Sequence, residues 1–279
     1  MATDVSIRLD GDIAFLCLEG EARMNAIGSH TCRALAAAIG QAEQNGRTRA
    51  VVVHGAGRAF SAGADIEEIA GFASPADFER FIHGFTDALA LLEASPVPFV
   101  AAINGLAFGG GLELAMACDL RVAAADGKLG LPEAKLGVLP GAGGTQRLPR
   151  LIPRGVATEM LMLGRTIDGA RAYQLGLVNQ LAAATAAVLA DAEALARELA
   201  AGAWLVPARA KSLLRETAGS ELGQGITRER EVATELFASP DGQEGFAAFT
   251  QRRAPKFAPG QPGSQSGSQP GSQPGSQPS

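Results

Sequence analysis

Two glutamates stand out because each lies beside a glycine- or proline-containing turn in the most apolar part of the chain. Glu113 follows Gly109-Gly110-Gly111, and Glu133 follows Leu131-Pro132 twenty residues further on. Two carboxyl groups beside one water can hold it and move its protons, which is general acid–base chemistry. Each acid also has a structural explanation. The helix dipole favours Glu113 in a first turn by about 0.3–1 kcal/mol, and Glu133 fits an exposed strand end.

Three turns built from small residues surround these acids in the sequence: Ala59–Ile66, Gly109–Gly111 and Leu139–Gly144. Glycine leaves the backbone N–H groups bare, so that a ligand can approach the start of a helix. The first turn follows a predicted buried strand, where ligands of such sheets commonly bind. The glycines are equally compatible with close packing of a helix on a strand. The joint presence of two acids and bare turns favours a binding site.

Several common site signatures are missing from the sequence. It contains no GxxxxGK[ST] phosphate loop and no GxSxG nucleophile turn. The glycine turns lack the third glycine of GxGxxG, so we expect no dinucleotide site. His30, His54 and His83 are scattered, and the cysteines show no metal-ligand spacing, so we predict no metal.

The composition limits the function classes. Hydrophobic residues make up 47% of the 279 residues and charged residues 19%, which is sufficient for a large core and excludes a disordered or coiled-coil chain. The net charge of −5 and 5% aromatic content argue against nucleic acid and anionic membranes as partners. The early acids predict no signal peptide, and three sparse cysteines favour reduced thiols and a cytoplasmic location.

Hydrophobic patterning predicts alternating strands and helices, followed by helices alone. This order is typical of an α/β fold with helices on parallel strands. Ser74 and Pro75 supply a cap and a first helical residue for one of the helices. The predicted strands are Val5–Leu9, Ile13–Leu18, Ala50–His54, Phe99–Ile103 and Leu120–Ala125, and the predicted helices are Thr31–Asn45, the segment from Ser74 to before Ser95, Gly109–Cys118, Ala186–Ala201, Pro207–Ala218, Glu221–Phe237 and Pro240–Gln251.

Three regions follow from this pattern. Residues 1–195 form the predicted core, residues 196–258 form a helical C-terminal region, and residues 259–279 form a tail. The tail contains only Pro, Gly, Ser and Gln, so it has nothing apolar to bury and is expected to be disordered.

The chain resembles the enoyl-CoA hydratase, or crotonase, superfamily from about Val5 to Phe257. The most specific stretches are AFSAGADIEEI (Ala59–Ile69), AAINGLAFGGGLELAMACD (Ala101–Asp119) and LPEAKLGVLPGAGGTQRL (Leu131–Leu148). The resemblance implies a spiral of ββα repeats with a helical C-terminal trimerisation region. It also implies a homotrimer or a dimer of trimers.

The same resemblance implies an oxyanion hole and two catalytic acids. The backbone N–H groups of Ala64 and Gly110 would bind the thioester oxygen of an acyl-CoA, where negative charge develops. Glu133 would donate a proton to C2, and Glu113 would orient and deprotonate the water, although the residues leave this division of roles open. The backbone of Gly141 would help to hold the water. Crowded carboxyl groups in an apolar pocket should raise at least one pKa.

Coenzyme A contacts are implied for Ala62, Ala64, Asp65 and Ile66, with Arg58 near the phosphates. Many relatives carry Lys where this chain has Glu67. An acid there puts one phosphate contact in doubt, so that Arg58 or Lys256 would have to compensate.

The resemblance therefore implies an enoyl-CoA hydratase of fatty-acid β-oxidation, a hydro-lyase that needs no cofactor because its substrate carries coenzyme A. Enoyl-CoA isomerisation and hydration of a branched substrate such as methylglutaconyl-CoA are alternatives within the family. A non-catalytic acyl-CoA- or RNA-binding trimer is the alternative from another class. The presence of both Glu113 and Glu133 favours the hydratase.

Overall fold

The computed structural model describes residues 2–258, so the predicted tail lies outside the described residues. Within that range the strands are β1 (Asp4–Asp10), β2 (Ile13–Glu19), β3 (Ala50–Gly55), β4 (Ala59–Ser61), β5 (Phe99–Ile103), β6 (Leu106–Phe108), β7 (Leu120–Ala124), β8 (Lys128–Gly130), β9 (Thr166–Asp168) and β10 (Gln180–Ala182). The helices are α1 (Ser29–Gln44), α2 (Ile66–Ala70), α3 (Pro75–Ala94), α4 (Gly110–Ala117), α5 (Gly144–Leu151), α6 (Arg154–Leu163), α7 (Gly169–Gln174), α8 (Val188–Ala201), α9 (Leu205–Glu216), α10 (Leu222–Ala238) and α11 (Pro240–Thr250).

The larger sheet has the strand order β1-β2-β3-β5-β7-β10. β1 and β2 form an antiparallel hairpin, and the remaining neighbours pair in parallel. Its inner strands β2, β3, β5 and β7 are short apolar runs buried on both faces, as parallel strands require, whereas the edge strands β1 and β10 are largely exposed. Helix α8 packs on one face through Val188, Ala192 and Ala196, while α1 and α3 contribute to the core on the other face.

The smaller sheet has the order β4-β6-β8-β9, with β4, β6 and β8 parallel. Each pair β3–β4, β5–β6 and β7–β8 places its first strand in the larger sheet and its second in the smaller one, and a helix follows. This repetition confirms the predicted α/β fold of ββα units. Because neighbouring parallel strands end at the same edge, the turns after β4, β6 and β8 lie side by side.

The strands predicted for the larger sheet are confirmed, as are the helices predicted after residue 186. Ser74 caps α3, with its N–H donating to the Asp77 carboxylate over 2.8 Å. The smaller sheet was not predicted, because three-residue strands are too short to show an alternating pattern.

The C-terminal helices are attached to the core by a buried lysine. On α9, the Lys211 ammonium donates to the Asp119 carboxylate over 2.8 Å and to the carbonyls of Leu92 and Val97. The limit predicted between residues 195 and 196 falls inside α8, which packs on the sheet over its whole length. The three regions otherwise stay a prediction.

Within residues 2–258 no helix is both long and apolar enough to cross a membrane. The three cysteines are free, with Cys32 and Cys118 buried and Cys17 half-buried. Burial raises the pKa of the Cys118 thiol to about 12, so this thiol behaves as a small apolar side chain.

Candidate active site

The carboxyl ends of three neighbouring strands bring the candidate site together. Ala64 follows β4, Gly110 follows β6, and Glu133 follows β8. The three residues come two or three positions after their strands. The site therefore uses the corresponding turn of three successive repeats.

The amides of Ala64 and Gly110 point into one space. A Cβ atom placed on Gly110 would lie 3.5 Å from the Ala64 nitrogen, and one placed on Gly63 would lie 3.3 Å from the Gly110 nitrogen. Neither amide donates to a protein acceptor in the part of the chain that the structure describes. Two adjacent N–H groups without acceptors form a site for an oxygen that carries negative charge.

Buried hydrogen bonds fix the loop that carries Ala64. Asn25 is fully buried with φ of 56°, and its side-chain amide donates to the carbonyls of Ala59 and Ala56 over 2.8 and 2.9 Å. The Ser61 hydroxyl donates to the Asn25 carbonyl over 2.8 Å and accepts from the Gly63 N–H over 3.1 Å. The amide of Ala64 is therefore held in place before any ligand arrives.

The Gly110 amide is the first N–H of α4, a helix whose residues are all buried. Gly109 precedes it with φ of +50°, a conformation that glycine adopts at little cost, and its N–H donates to the Gly130 carbonyl over 2.9 Å. A Cβ on Gly110 would lie only 2.9 Å from the Phe85 ring. The helix dipole adds partial positive charge at this amide.

Glu113 lies one turn into α4 and is 3% exposed. Its Oε1 accepts the backbone N–H groups of Ala142 and Gly144 over 2.8 and 2.7 Å. Burial raises the pKa of Glu113, while the two amides and the Arg147 guanidinium act in the opposite direction. These donors stabilise the ionised form, because they bind the charged oxygen directly.

Glu133 lies in the 3₁₀ helix Pro132–Leu136 that follows β8. Its Oε2 is buried and accepts no hydrogen bond from any residue between 2 and 258. Burial, with a further contribution from the negative charge of Glu113, raises the pKa of Glu133 to about 7. The raised pKa expected for a pair of crowded acids is confirmed. A Cβ on Gly109 would lie 2.8 Å from Glu133 Oε1, so this carboxyl borders the glycine turn that carries Gly110.

Comparison with known proteins agrees with this geometry. The family described as enoyl-CoA hydratase/isomerase matches residues 9–260. The chain belongs to the enoyl-CoA hydratase/isomerase family. It is 38% identical over 253 residues to a Bacillus subtilis (strain 168) protein named "Probable enoyl-CoA hydratase", covering 91% of this chain and 98% of that one.

Two further relatives show how widely the fold is shared. The mouse protein named enoyl-CoA hydratase domain-containing protein 2, mitochondrial, is 37% identical over 237 residues, covering 84% of this chain and 80% of that one. The crystal structure of an enoyl-CoA hydratase from Polaromonas sp. JS666 superposes with a TM-score of 0.88 at 32% identity, covering 91% of this chain and 100% of that one. The crotonase-like fold is therefore confirmed.

In this member of the enoyl-CoA hydratase/isomerase family, the structure brings Ala64, Gly110, Glu113 and Glu133 together. Gly141 lies in the turn beside Glu113, but the amides that reach the carboxylate belong to Ala142 and Gly144. These two donors were not predicted, although clustered glycines before a helix are typical of an anion-binding backbone. The water-holding role of Gly141 stays a prediction, as do the catalytic roles of the other four.

Asp65, one of the residues predicted to contact coenzyme A, directly follows Ala64 in the turn after β4. Asp65 is buried and caps α2, accepting the N–H groups of Glu67 and Glu68. Arg23 donates to Asp65 over 2.7 Å and also lies 2.7 Å from the Glu67 carboxylate. The acid that departs from the family pattern is thus paired with a cation of this chain.

The remaining predicted coenzyme A contacts are less enclosed. Arg58 and Ile66 are exposed, and the Ala62 N–H donates to the Met24 carbonyl over 2.8 Å. Lys256 is exposed near the C-terminal end of the described residues, and its backbone N–H donates to the Glu244 carboxylate. No ligand contact is implied by these positions alone, so all of these assignments stay predictions.

Proposed function

We propose that this family member is an enoyl-CoA hydratase, which adds water across the 2,3 double bond of a 2-enoyl-CoA to give 3-hydroxyacyl-CoA. The observation that carries the proposal is the placement of two buried glutamates with raised pKa values beside two amides that have no acceptor among residues 2–258. Hydration needs both sets of groups. A proton must be removed from water, another must be delivered to C2, and the thioester oxygen must carry charge between these steps.

In the proposed mechanism, the amides of Ala64 and Gly110 bind the thioester oxygen. When the water oxygen adds at C3, an electron pair moves through C2 to the thioester oxygen, and an enolate forms. The amides are already fixed by the Asn25–Ser61 hydrogen bonds and by α4, so they need no reorganisation as the charge develops. Loss of one such donor typically costs about 2.7–4 kcal/mol of barrier.

The surroundings of the two glutamates divide their roles. Glu113 is ionised in the proposal, because two amides and the Arg147 guanidinium stabilise its charge, and it takes the proton from water. Within the described part of the chain Glu133 has no donor on Oε2, and its pKa is raised to about 7, so it can hold a proton near neutral pH and give it to C2. A carboxyl group with a pKa near the working pH is suited to proton transfer in either direction.

The proposal includes a partner and a location. The substrate is an acyl-CoA that carries its own coenzyme A, and the reaction as proposed uses only groups of this chain. The proposed setting is β-oxidation in the cytoplasm.

The C-terminal helices expose large apolar side chains, with Leu222 at 80% and Phe249 at 84%. Faces of this kind are typical of subunit contacts, so we propose a homotrimer or a dimer of trimers. Light scattering should give a mass of three or six chains, and a monomer would contradict this part.

The deciding experiment follows the loss of conjugated enoyl absorbance with purified protein. We expect turnover of crotonyl-CoA or of longer 2-enoyl-CoA substrates, with 3-hydroxyacyl-CoA as the product. A Gly110→Ala variant should lose about 10²–10³-fold in kcat, since its Cβ would enter the space beside the Ala64 amide. A Gly84→Ala variant is a matched control, because a Cβ at Gly84 meets nothing within 4 Å. Absence of hydration across the whole series of chain lengths would overturn the proposal.

A further inference from the structure

Arg147 on α5 connects the turn beside Glu113 to a different helix. Its Nη1 donates to the Ala142 carbonyl over 2.6 Å, and its Nε donates to the Glu93 carboxylate on α3 over 2.6 Å. The N–H of the same residue, Ala142, donates to Glu113. Ala142 therefore binds the Arg147 guanidinium through its carbonyl and Glu113, the candidate base, through its N–H group.

The backbone is built to admit this guanidinium. Gly143 has φ of +99°, and a Cβ placed there would lie 2.2 Å from Arg147 Nη1. The Arg147 N–H also donates to the Gly143 carbonyl over 2.8 Å, which begins α5. The positive φ favours glycine at 143, and a Cβ there would also displace the guanidinium from its present position.

Glu93 gives Arg147 a second attachment on a helix that touches the site elsewhere. On α3, the Phe85 ring lies against Gly110, and Ile82 lies against Gly141. The planar guanidinium can reach a carboxylate and a carbonyl together, because its N–H groups point in fixed, divergent directions. The Arg147 side chain is 20% exposed and that of Glu93 is 35% exposed, so the contacts are partly shielded from solvent.

We propose that Arg147, anchored by Glu93, is a positioning residue that holds the Ala142–Gly144 turn so that both of its amides bind Oε1 of Glu113. Oε2 takes part in neither bond and remains for the water. The inference rests on the proposed hydration, since it assigns a function to the orientation of Glu113. Arg147 itself touches no reacting atom.

The charges around Glu113 add a measurable consequence. Arg147 faces it from α5 with Glu93 behind, and Glu133 faces it from the 3₁₀ helix. The positive charge of Arg147 lowers the pKa of Glu113 and opposes the effect of burial. Removal of that charge should raise the Glu113 pKa further, so the proposed base would become protonated at a higher pH.

The test compares Arg147→Gln, Arg147→Lys and Glu93→Gln with Arg150→Gln as the matched control. Arg150 lies one turn further along α5, and among residues 2–258 its guanidinium bonds only to the Gln146 carbonyl of the same helix. We expect kcat for crotonyl-CoA to fall about 10²-fold in Arg147→Gln with little change in KM, as for a misplaced reacting group. Arg147→Lys should recover part of the loss, because an ammonium can serve the Ala142 carbonyl but lacks the planar fork.

A second measurement separates failure of this inference from failure of the proposed function. Carbon-13 NMR titration of labelled glutamate carboxyls, with Glu113→Gln for assignment, reports the Glu113 pKa without any turnover. We expect it to rise in Arg147→Gln and to stay unchanged in Arg150→Gln. If the wild-type protein hydrates no enoyl-CoA, the proposed function fails and this titration still tests the contact. An unchanged pKa in Arg147→Gln, or equal losses of kcat in Arg147→Gln and Arg150→Gln, would overturn the inference.

Discussion

The two glutamates of the site lie in contrasting surroundings although they approach the same space. Glu113 projects from a fully buried helix, and two amides grip one of its oxygens. Glu133 projects from a short 3₁₀ helix, and its buried Oε2 has no partner among residues 2–258. Burial raises the pKa of both. At Glu113 the amides of Ala142 and Gly144 and the Arg147 guanidinium oppose this rise, whereas at Glu133 the opposing contribution comes from its own backbone amide.

This difference shows how one site can keep a charged and a neutral carboxyl at the same pH. Backbone amides placed on a carboxylate stabilise the ion, whereas burial without a donor favours the protonated acid. The pair needs no difference in residue type, because the environment alone separates the two. The following measurements test whether the separation is real, beginning with the largest expected effect.

Either glutamate replaced by glutamine should lower kcat by about 10²–10⁴-fold, the usual contribution of a general acid or base. A glutamine at 113 keeps a carbonyl oxygen for the Ala142 and Gly144 amides, so acyl-CoA binding should be largely unchanged. Steady-state kinetics with crotonyl-CoA and calorimetric binding of a saturated acyl-CoA check this. A mild effect of either substitution would reassign that acid to a structural role.

Alanine substitutions at Glu113 and Glu133 should lower the free energy of unfolding by different amounts. Glu113→Ala leaves the buried amides of Ala142 and Gly144 without an acceptor, which should cost about 2 kcal/mol of unfolding free energy. Glu133→Ala removes a carboxyl that has no partner on Oε2, so it should cost nothing comparable at pH 8. Urea unfolding of both variants measures the contrast, and equal losses would refute it.

The dependence of rate on pH should show the proton held by Glu133. Its pKa of about 7 predicts that kcat/KM falls as the pH rises above 7, approaching tenfold per pH unit, because the proposed acid loses its proton. The Glu133→Asp variant retains a carboxyl, so its kcat/KM should still fall at high pH, with a shifted midpoint. In Glu133→Gln this fall should be absent. If kcat/KM of Glu133→Gln fell above pH 7 as in the wild type, the titrating proton would belong to another group.

The free energy of unfolding should also depend on the protonation of Glu133, and here the Glu133→Gln variant should gain stability where it loses activity. The folded-state pKa of Glu133 lies above the ordinary glutamate value of 4.5, so the stability gained from its protonated form is fully present below about pH 4.5 and is lost as the pH rises through about 7. Glu133→Gln removes this loss and should gain about 1 kcal/mol over wild type at pH 8, after allowance for partial exposure. Unfolding measured at pH 4.5 and pH 8 gives the difference, and an equal gain at both would contradict it.

The sequence predicted the side chains of the site better than the backbone groups that hold them. Glu113, Glu133 and the glycine turns were identifiable because acids and glycines are rare in an apolar segment. The amides of Ala142 and Gly144 were missed because a backbone N–H carries no signature of its own, and its direction depends on the turn. The contact between Glu93 and Arg147 joins residues far apart in the chain, and only the three-dimensional fold reveals it.

The fold shows the same division between local and distant information. The inner strands β2, β3, β5 and β7 of the larger sheet were predicted from continuous apolar runs, because burial on both faces needs them, whereas the short, mostly exposed edge strand β10 was not predicted. The three-residue strands β4, β6 and β8 exist through pairing with one another rather than through any local preference. Long-range pairing of this kind is decided by the whole chain, and a short window of residues does not contain it.

The turns after β4, β6 and β8 belong to separate repeats, and each contributes one element to the site. Each group is anchored by its own strand, but the turns are so close that a Cβ added at Gly109 or Gly110 would reach the neighbouring turn. In the proposed mechanism, the amides that bind the thioester oxygen and the acid that donates the proton come from different repeats. A scaffold assembled in this way can exchange one chemical step for another without rebuilding its active site.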